Sequence, residues 1–346
     1  MARIAVVTSA PPLSEGGHIV HARVLVQALK DAGHDAGLVT TPSNRFGRQA
    51  TAYIANWCTD VGETGSGERI DQVITIRFPS YAVRHPNQVS WLNHTMREYY
   101  DLWPAFSAPL SPRGHVKESL RRTVIHAADR YFLTHHVRKL FAVSATVRDR
   151  LERWNGVRAE VLHPPAPPRP YRCAEYGDFL FFVSRLEPLK RADLVIRALA
   201  EPAARDVRLV IGGDGPERER LQSLARELKV ESRVTFLGQV DEATLVDYLG
   251  RCRAVVFTPR DEDYGFVTAE AFESGKAVIT CRDSGGPTEL VNSDSGFIVD
   301  PTPAAVAAAS AALAADAALA ERLGQQAKRQ VASLTWPAAV DRLVLR

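Results

Sequence analysis

Two carboxylates, Glu262 and Glu270, stand eight positions apart in Glu-Asp-Tyr-Gly-Phe-Val-Thr-Ala-Glu, with Gly265 between them. The apolar run Val255 to Thr258 before them reads as a buried strand, and Val267 to Ser274 reads as a helix closed by Gly275. Glu262 then lies on a strand-to-helix loop, and Glu270 one to two turns into the helix. Carboxylates at the carboxyl end of a parallel strand are well placed to grip a polyhydroxylated ligand, because each accepts strongly from hydroxyls. The bland reading is that acidic residues gather near helix starts because they complement the helix dipole.

Four more loops follow candidate strand ends in the second half. Ser184 to Lys190 carries Arg185, which can fork onto a phosphate, and Lys190, which supplies a point charge. Gly213, Asp214 and Gly215 form a run that lets backbone approach a ligand closely, although such a run is also an ordinary turn. Gly238 ends Val-Thr-Phe-Leu-Gly, a backbone edge suited to stacking and hydrogen bonding a flat base. Ser284 to Glu289 opens a helix whose first amides suit a phosphate. Arg185 and Lys190 taken singly read equally well as surface residues. The signal is the whole set, in order, at consecutive strand ends.

Parallel strands must position these loops. In the first half, apolar runs at Arg3 to Thr8, Ala36 to Thr40, Val73 to Phe78, Val89 to Leu92, Leu140 to Val143 and Glu160 to Leu162 alternate with longer segments. One of these, after Gly16-Gly17, is a helix with apolar positions Val20, Val24, Leu25, Ala28 and Leu29. Residues 42–70 read as a long polar loop with one short helix at most. Five prolines between Pro164 and Pro170 exclude helix and central strand there, and mark a stiff boundary. The second half restarts the alternation, from Phe179 to Val183 through strands at Val207, Val234, Ala254 and Ala277, and closes with an Ala-rich helical segment, 303–334. Right-handed crossovers between such strands give a parallel sheet. The expectation is two doubly wound Rossmann-like domains facing across a cleft. Residues 1–166 form the first, 167–335 the second, and 336–346 a closing segment that crosses back.

Composition fits this class. The 346 residues are 45% hydrophobic and 24% charged, enough for two cores. No apolar run approaches the roughly 18 residues of a membrane span, and the N-terminus enters a strand pattern directly, without a secretory signal. Cys58, Cys173, Cys252 and Cys281 form no Cys-x-x-Cys pair, so reduced thiols in a cytoplasmic protein are expected, with neither zinc nor a disulfide framework. Net charge is +3, but residues 1–166 carry 20 basic against 14 acidic side chains. The excess concentrates in 113–153, with ten basic and four acidic residues. It suits an anionic membrane or acceptor, or else a solvated helical face. No nucleic-acid motif accompanies it.

The ordered loops resemble the retaining glycosyltransferases of family 4, which have the GT-B fold. The best-matched stretch runs from Phe179 to Pro301: Val-Ser-Arg-Leu-Glu-Pro-Leu-Lys, Gly-Asp-Gly-Pro, Val-Thr-Phe-Leu-Gly, the Glu262–Glu270 pair, Ser-Gly-Gly-Pro-Thr-Glu-Leu-Val and Gly-Phe-Ile-Val-Asp-Pro. The first half is similar to the family's acceptor domain through Glu15-Gly16-Gly17, His21 and Ala32-Gly33-His34. The resemblance implies that Arg185 and Lys190 hold the diphosphate of a nucleotide sugar and that Glu270 holds the ribose hydroxyls. Glu262, with the backbone of Gly265, Phe266 and Val267, would hold the transferred sugar. Gly16 and Gly17 would line the cleft, His94 would lie near the donor sugar, and Gly213, Asp214, Gly215 and Gly238 would complete the donor site. It implies a UDP- or GDP-linked donor, a carbohydrate or lipid-linked acceptor, and no required metal. The chain departs from the family pattern at Ser184 and at Arg191, both in places where glycine is frequent, and at Ala277, where proline is usual.

Asp261-Glu262-Asp263 is also an Asp-x-Asp string, the metal signature of another glycosyltransferase fold. An epimerase acting on a nucleotide sugar, and a non-catalytic nucleotide-sugar-binding partner, share the expected fold and remain alternatives.

Overall fold

The computed structural model describes residues 1–11, 16–43 and 47–345. The chain divides into two compact units, Met1–Pro164 with Leu334–Arg346, and Pro165–Ser333.

The first unit is built on six parallel strands, β1 (Arg3–Ala10), β2 (Asp35–Pro42), β3 (Gln72–Thr75), β4 (Gln88–Leu92), β5 (Lys139–Ala142) and β6 (Glu160–Val161), in the order β2-β1-β3-β4-β5-β6. β3 and β4 are buried along their whole length, as sheet strands covered on both faces must be. The helix Gly17–Asp31 buries Ile19, His21, Ala22, Leu25 and Leu29. The expected face, with Val20, Val24 and Ala28, is therefore rotated, since apolar residues lie on both sides of this helix. Among the described residues of 42–70 there is one short helix, Gln49–Trp57, in line with the expectation. A 24-residue helix, Pro112–His135, starts at Ser111, whose hydroxyl accepts from Gly114 N at 3.2 Å. The last helix, Trp336–Leu343, belongs to this unit. Gln72 Nε2 donates to Leu343 O at 2.7 Å, and Trp336 packs on His21 and Trp91.

One polar group lies in the middle of this core. Asp129 is fully buried and accepts from the hydroxyls of Tyr53, Tyr81 and Tyr100, the last at 2.6 Å. Burial still pushes its carboxyl up to about 6.

The second unit has strands β7 (Phe179–Val183), β8 (Arg208–Gly212), β9 (Val234–Gly238), β10 (Ala254–Val256), β11 (Val278–Cys281) and β12 (Gly296–Val299), again all parallel, in the order β12-β11-β10-β7-β8-β9. Strand β12 was not foreseen, because four residues at a sheet edge carry little periodicity. Its core joins β7, β8 and β10 to helices Ala192–Leu199 and Pro303–Ala315. The strand order reverses between β7 and β10, the place where doubly wound sheets generally bind a ligand at the carboxyl ends of their strands. The proline run is not a bare tether: Pro164, Pro165 and Pro167 are buried.

Candidate functional site

The loops after β7, β8, β10 and β11 are joined by backbone hydrogen bonds into one layer. Leu186 N donates to Asp214 O at 2.8 Å, Arg260 N to Leu189 O at 2.7 Å, and Glu262 N to Ser284 O at 2.9 Å. This packing explains the glycines. A Cβ on Gly213, which has φ +120°, would lie 1.9 Å from Ser184 O, and one on Gly285, with φ +70°, would lie 2.5 Å from Glu262 O. Gly213 and Gly215, expected to let a ligand approach closely, also let the loop after β7 approach.

At the strand-order reversal the layer brings Lys190 and Glu262 together. Lys190 Nζ lies 2.5 Å from Glu262 Oε2, and each side chain is one-fifth exposed. Glu262 also packs against Gly265, whose φ of +79° starts the helix Phe266–Glu273. Phe266 and Val267, half-buried, form its first turn, and Phe266 meets Tyr264 edge to face. Arg185 behaves differently. It is largely exposed and pairs with Glu187 at 3.0 Å rather than joining Lys190.

Arg191 stands where the sequence pattern more often has glycine. Its φ is +53°, the left-handed region where glycine is favoured. Its guanidinium donates to Thr258 O and Pro259 O at 2.7 Å each and pairs with Asp283 at 2.7 Å. The side chain thus braces the loop after β7 against those after β10 and β11, which a glycine cannot do. Gly238 (φ +74°) accepts from Gly213 N at 2.7 Å through its carbonyl. Beside it Asp214 pairs with Arg218 at 3.1 Å, a cation whose only sequence signal is its place four residues after Asp214.

Glu270 lies on the same helix as Phe266 but has its own partners. It is 6% exposed, pairs with Arg169, and accepts from Tyr171 Oη at 3.4 Å. Arg169 also reaches Glu242 at 3.1 Å. Burial pushes the Glu270 carboxyl above its ordinary range, and the Arg169 guanidinium opposes that shift. A contact from the proline segment, 101 positions away, had no signal in the sequence.

The first unit gathers its candidates at the carboxyl ends of β1, β3 and β4. Gly16 is the N-cap of the helix that Gly17 begins, while Glu15 falls outside the described residues. His18 Nε2 lies 2.9 Å from Arg77 Nη1. His21 is buried, meets Asn93 Oδ1 at 3.3 Å and packs edge-on against Trp91, and burial lowers it to about 4, so the ring is neutral near pH 7. His94 follows β4, with Nδ1 2.6 Å from Thr95 O. A carbonyl only accepts, so Nδ1 carries the proton of this contact. Asp261 and Asp263 flank Glu262, yet among the described residues no three His, Cys, Asp or Glu side chains gather as a metal-ligand set.

Two parallel six-stranded α/β units in one chain are the fold of the GT-B glycosyltransferases. Residues 170–330, nearly all of the second unit, match the family described as Glycosyl transferases group 1. The chain is 34% identical over 177 residues to a D-inositol 3-phosphate glycosyltransferase of Thermomonospora curvata, covering 48% of this chain and 41% of that relative. The chain therefore spans well under two thirds of the length of such curated relatives. Among solved structures it superposes on sucrose-phosphate synthase from Thermosynechococcus elongatus with a TM-score of 0.73 at 18% identity, covering 98% of this chain and 97% of the other. It superposes on Anabaena HepE, solved in complex with UDP and glucose, with a TM-score of 0.68 at 16% identity and 98% coverage of both. At such identities the likeness is one of fold.

Proposed function

We propose that the chain is a retaining glycosyltransferase of family 4. It would move a sugar from a UDP- or GDP-linked donor to a carbohydrate, lipid-linked or small-molecule acceptor in glycan or polysaccharide biosynthesis. The observation that carries this reading is the meeting of Lys190 and Glu262 at the strand-order reversal of a unit that matches the group 1 family. The curated glycosyltransferase relatives support it, as does the UDP bound by a neighbour of the same fold.

In this reading Lys190 and Arg185 stabilise the diphosphate as the anomeric C–O bond breaks and its electron pair leaves with the phosphate oxygen. The acceptor hydroxyl attacks the anomeric carbon from the same face and passes its proton to that oxygen. Glu262, with the Gly265 and Phe266 backbone, holds the transferred sugar. Glu270 holds the ribose diol, Gly213 to Gly215 and Gly238 line the donor site, and Gly16, Gly17 and His94 serve from the first unit. Cation Lys190, already paired with a carboxylate in the free site, exchanges that partner for the diphosphate. The reaction needs no metal, and the protein works in the cytoplasm with a peripheral membrane contact within 113–153.

The test is turnover of a panel of UDP, GDP, ADP and dTDP sugars, with and without acceptors and with EDTA, read by product mass and anomeric configuration. A glycoside of unchanged configuration formed in EDTA is expected. Donor isomerised without acceptor would make the chain an epimerase, and tight binding without turnover would make it a non-catalytic partner. Activity abolished by EDTA and restored by manganese would revive the Asp261–Asp263 reading.

A further inference from the structure

The basic excess of 113–153 is mostly committed inside the first unit. Arg121 pairs with Glu118 at 2.6 Å, Arg122 donates to Tyr99 O at 2.8 Å, and Arg150 lies 3.7 Å from Asp101. Arg138 donates to Asn87 at 3.1 Å, and Arg148 pairs with Asp149 at 2.7 Å. Overall charge is therefore a poor guide to this surface. What remains is more specific and lies on one face of the helix Pro112–His135.

Val116, Leu120, Val124, Ala127 and Tyr131 recur at steps of four, four, three and four, which forms a single stripe about 22 Å long at the helical rise. The stripe faces outward: Val116 is 71% exposed, Leu120 68%, Val124 59% and Tyr131 50%. Single exposed apolar side chains are normal, but a contiguous row is not. The neighbouring helix Gln49–Trp57, whose Tyr53 and Trp57 rings meet Phe132, adds exposed Ile54 and Trp57. Both carboxylates of the long helix point the other way. Glu118 is buried and accepts from Tyr99 Oη at 2.8 Å, and Asp129 is buried among three tyrosines. Arg113, Lys117 and Arg130 flank the stripe, exposed and without an acidic partner among the described residues.

We propose, building on the peripheral contact within 113–153 of the proposed function, that this face of the helix Pro112–His135 docks in the plane of an anionic lipid bilayer. Val116, Leu120, Val124 and Tyr131 would enter the headgroup boundary, and Arg113, Lys117 and Arg130 would rest on anionic headgroups. The charge pattern selects this occupant. A second copy docked on the same stripe would bring like-charged rims together, whereas an anionic surface complements them. The apolar stems of the flanking cations can lie along the boundary while their heads reach the phosphates. No single helix among the described residues is long and apolar enough to cross a membrane.

Co-sedimentation of the full chain with extruded vesicles tests this, using phosphatidylcholine alone and phosphatidylcholine mixed with phosphatidylglycerol. Binding to the mixed vesicles should exceed binding to the neutral ones by roughly 10²-fold, the effect of three cations near an anionic surface, and should fall with salt. Leu120→Glu with Val124→Glu should abolish it while circular dichroism and melting stay unchanged, because both side chains are solvent-facing. Arg113→Ala with Lys117→Ala should weaken it without touching the stripe. Absence of binding to mixed vesicles, or binding indifferent to the Leu120 and Val124 substitutions, would overturn the proposal. So would a dimer that those substitutions dissolve in a protein that ignores vesicles.

Discussion

Replacing Arg169 by alanine should destabilise the second unit at neutral pH, and acid should partly repair the damage. Glu270 is 6% exposed and keeps its charge against the cost of burial through Arg169, itself only 11% exposed, with a weaker contact from Tyr171 at 3.4 Å. Removing one member of a buried pair leaves the other charge uncompensated, at a cost of about 3 kcal/mol. For a domain of this size that is roughly 6–12 °C in Tm. The pH dependence follows from the sign of the shift. Burial already raises the folded carboxyl of Glu270, and losing the guanidinium raises it further. A carboxyl raised on folding destabilises above its folded value and ceases to do so as protonation neutralises it. The deficit of Arg169→Ala relative to wild type should therefore be largest near pH 7 and shrink as pH falls into the carboxylate range. Arg169→Ala combined with Glu270→Gln should be more stable than Arg169→Ala alone, since no buried charge remains. The assay is thermal and urea unfolding of the wild type and both variants across that range. An Arg169→Ala protein as stable as wild type at pH 7, or a deficit that does not change with pH, would refute the reasoning.

Lys190→Ala should lower kcat by about 10²-fold or more with folding intact, as expected when a preorganised charge is removed from a leaving group. Exposed Arg185→Ala should do the same if its side chain swings from Glu187 to the donor, and steady-state kinetics with circular dichroism checks both. Asp129→Asn should flatten the pH dependence of first-unit stability. Burial raises Asp129 to about 6, so wild type loses stability as pH rises from about 4 to about 6 and is level above that, a change of about 2–3 kcal/mol. The difference between the two melting profiles measures it.

Much of the sheet architecture was legible because doubly covered parallel strands are short apolar runs, and the Phe179–Val183 run shows this plainly. The loops at the strand ends were legible as a set because glycine and proline mark backbone that must bend or approach closely. The partners of those loops were not. Lys190 meets Glu262 across 72 positions and Arg169 meets Glu270 across 101, and no periodicity links residues so far apart. Arg191 looked like an irregularity at a glycine position, yet it adopts the glycine conformation and uses its side chain to brace three loops. Charge totals alone did not resolve 113–153, because the count does not distinguish Arg122, donating to Tyr99 O, from Lys117 at the surface.

The central claim is that the second unit binds a nucleoside diphosphate at the reversal of its strand order, with Glu270 on the ribose. Calorimetric titration of UDP and GDP into the wild type and into Glu270→Gln tests it most directly, since the amide keeps the shape of the side chain. One nucleotide should bind the wild type, and the substitution should weaken it roughly 10- to 10²-fold, the worth of a hydrogen bond to a charged group. Equal affinity in both folded proteins, or no binding of any nucleoside diphosphate to the wild type, would contradict the account.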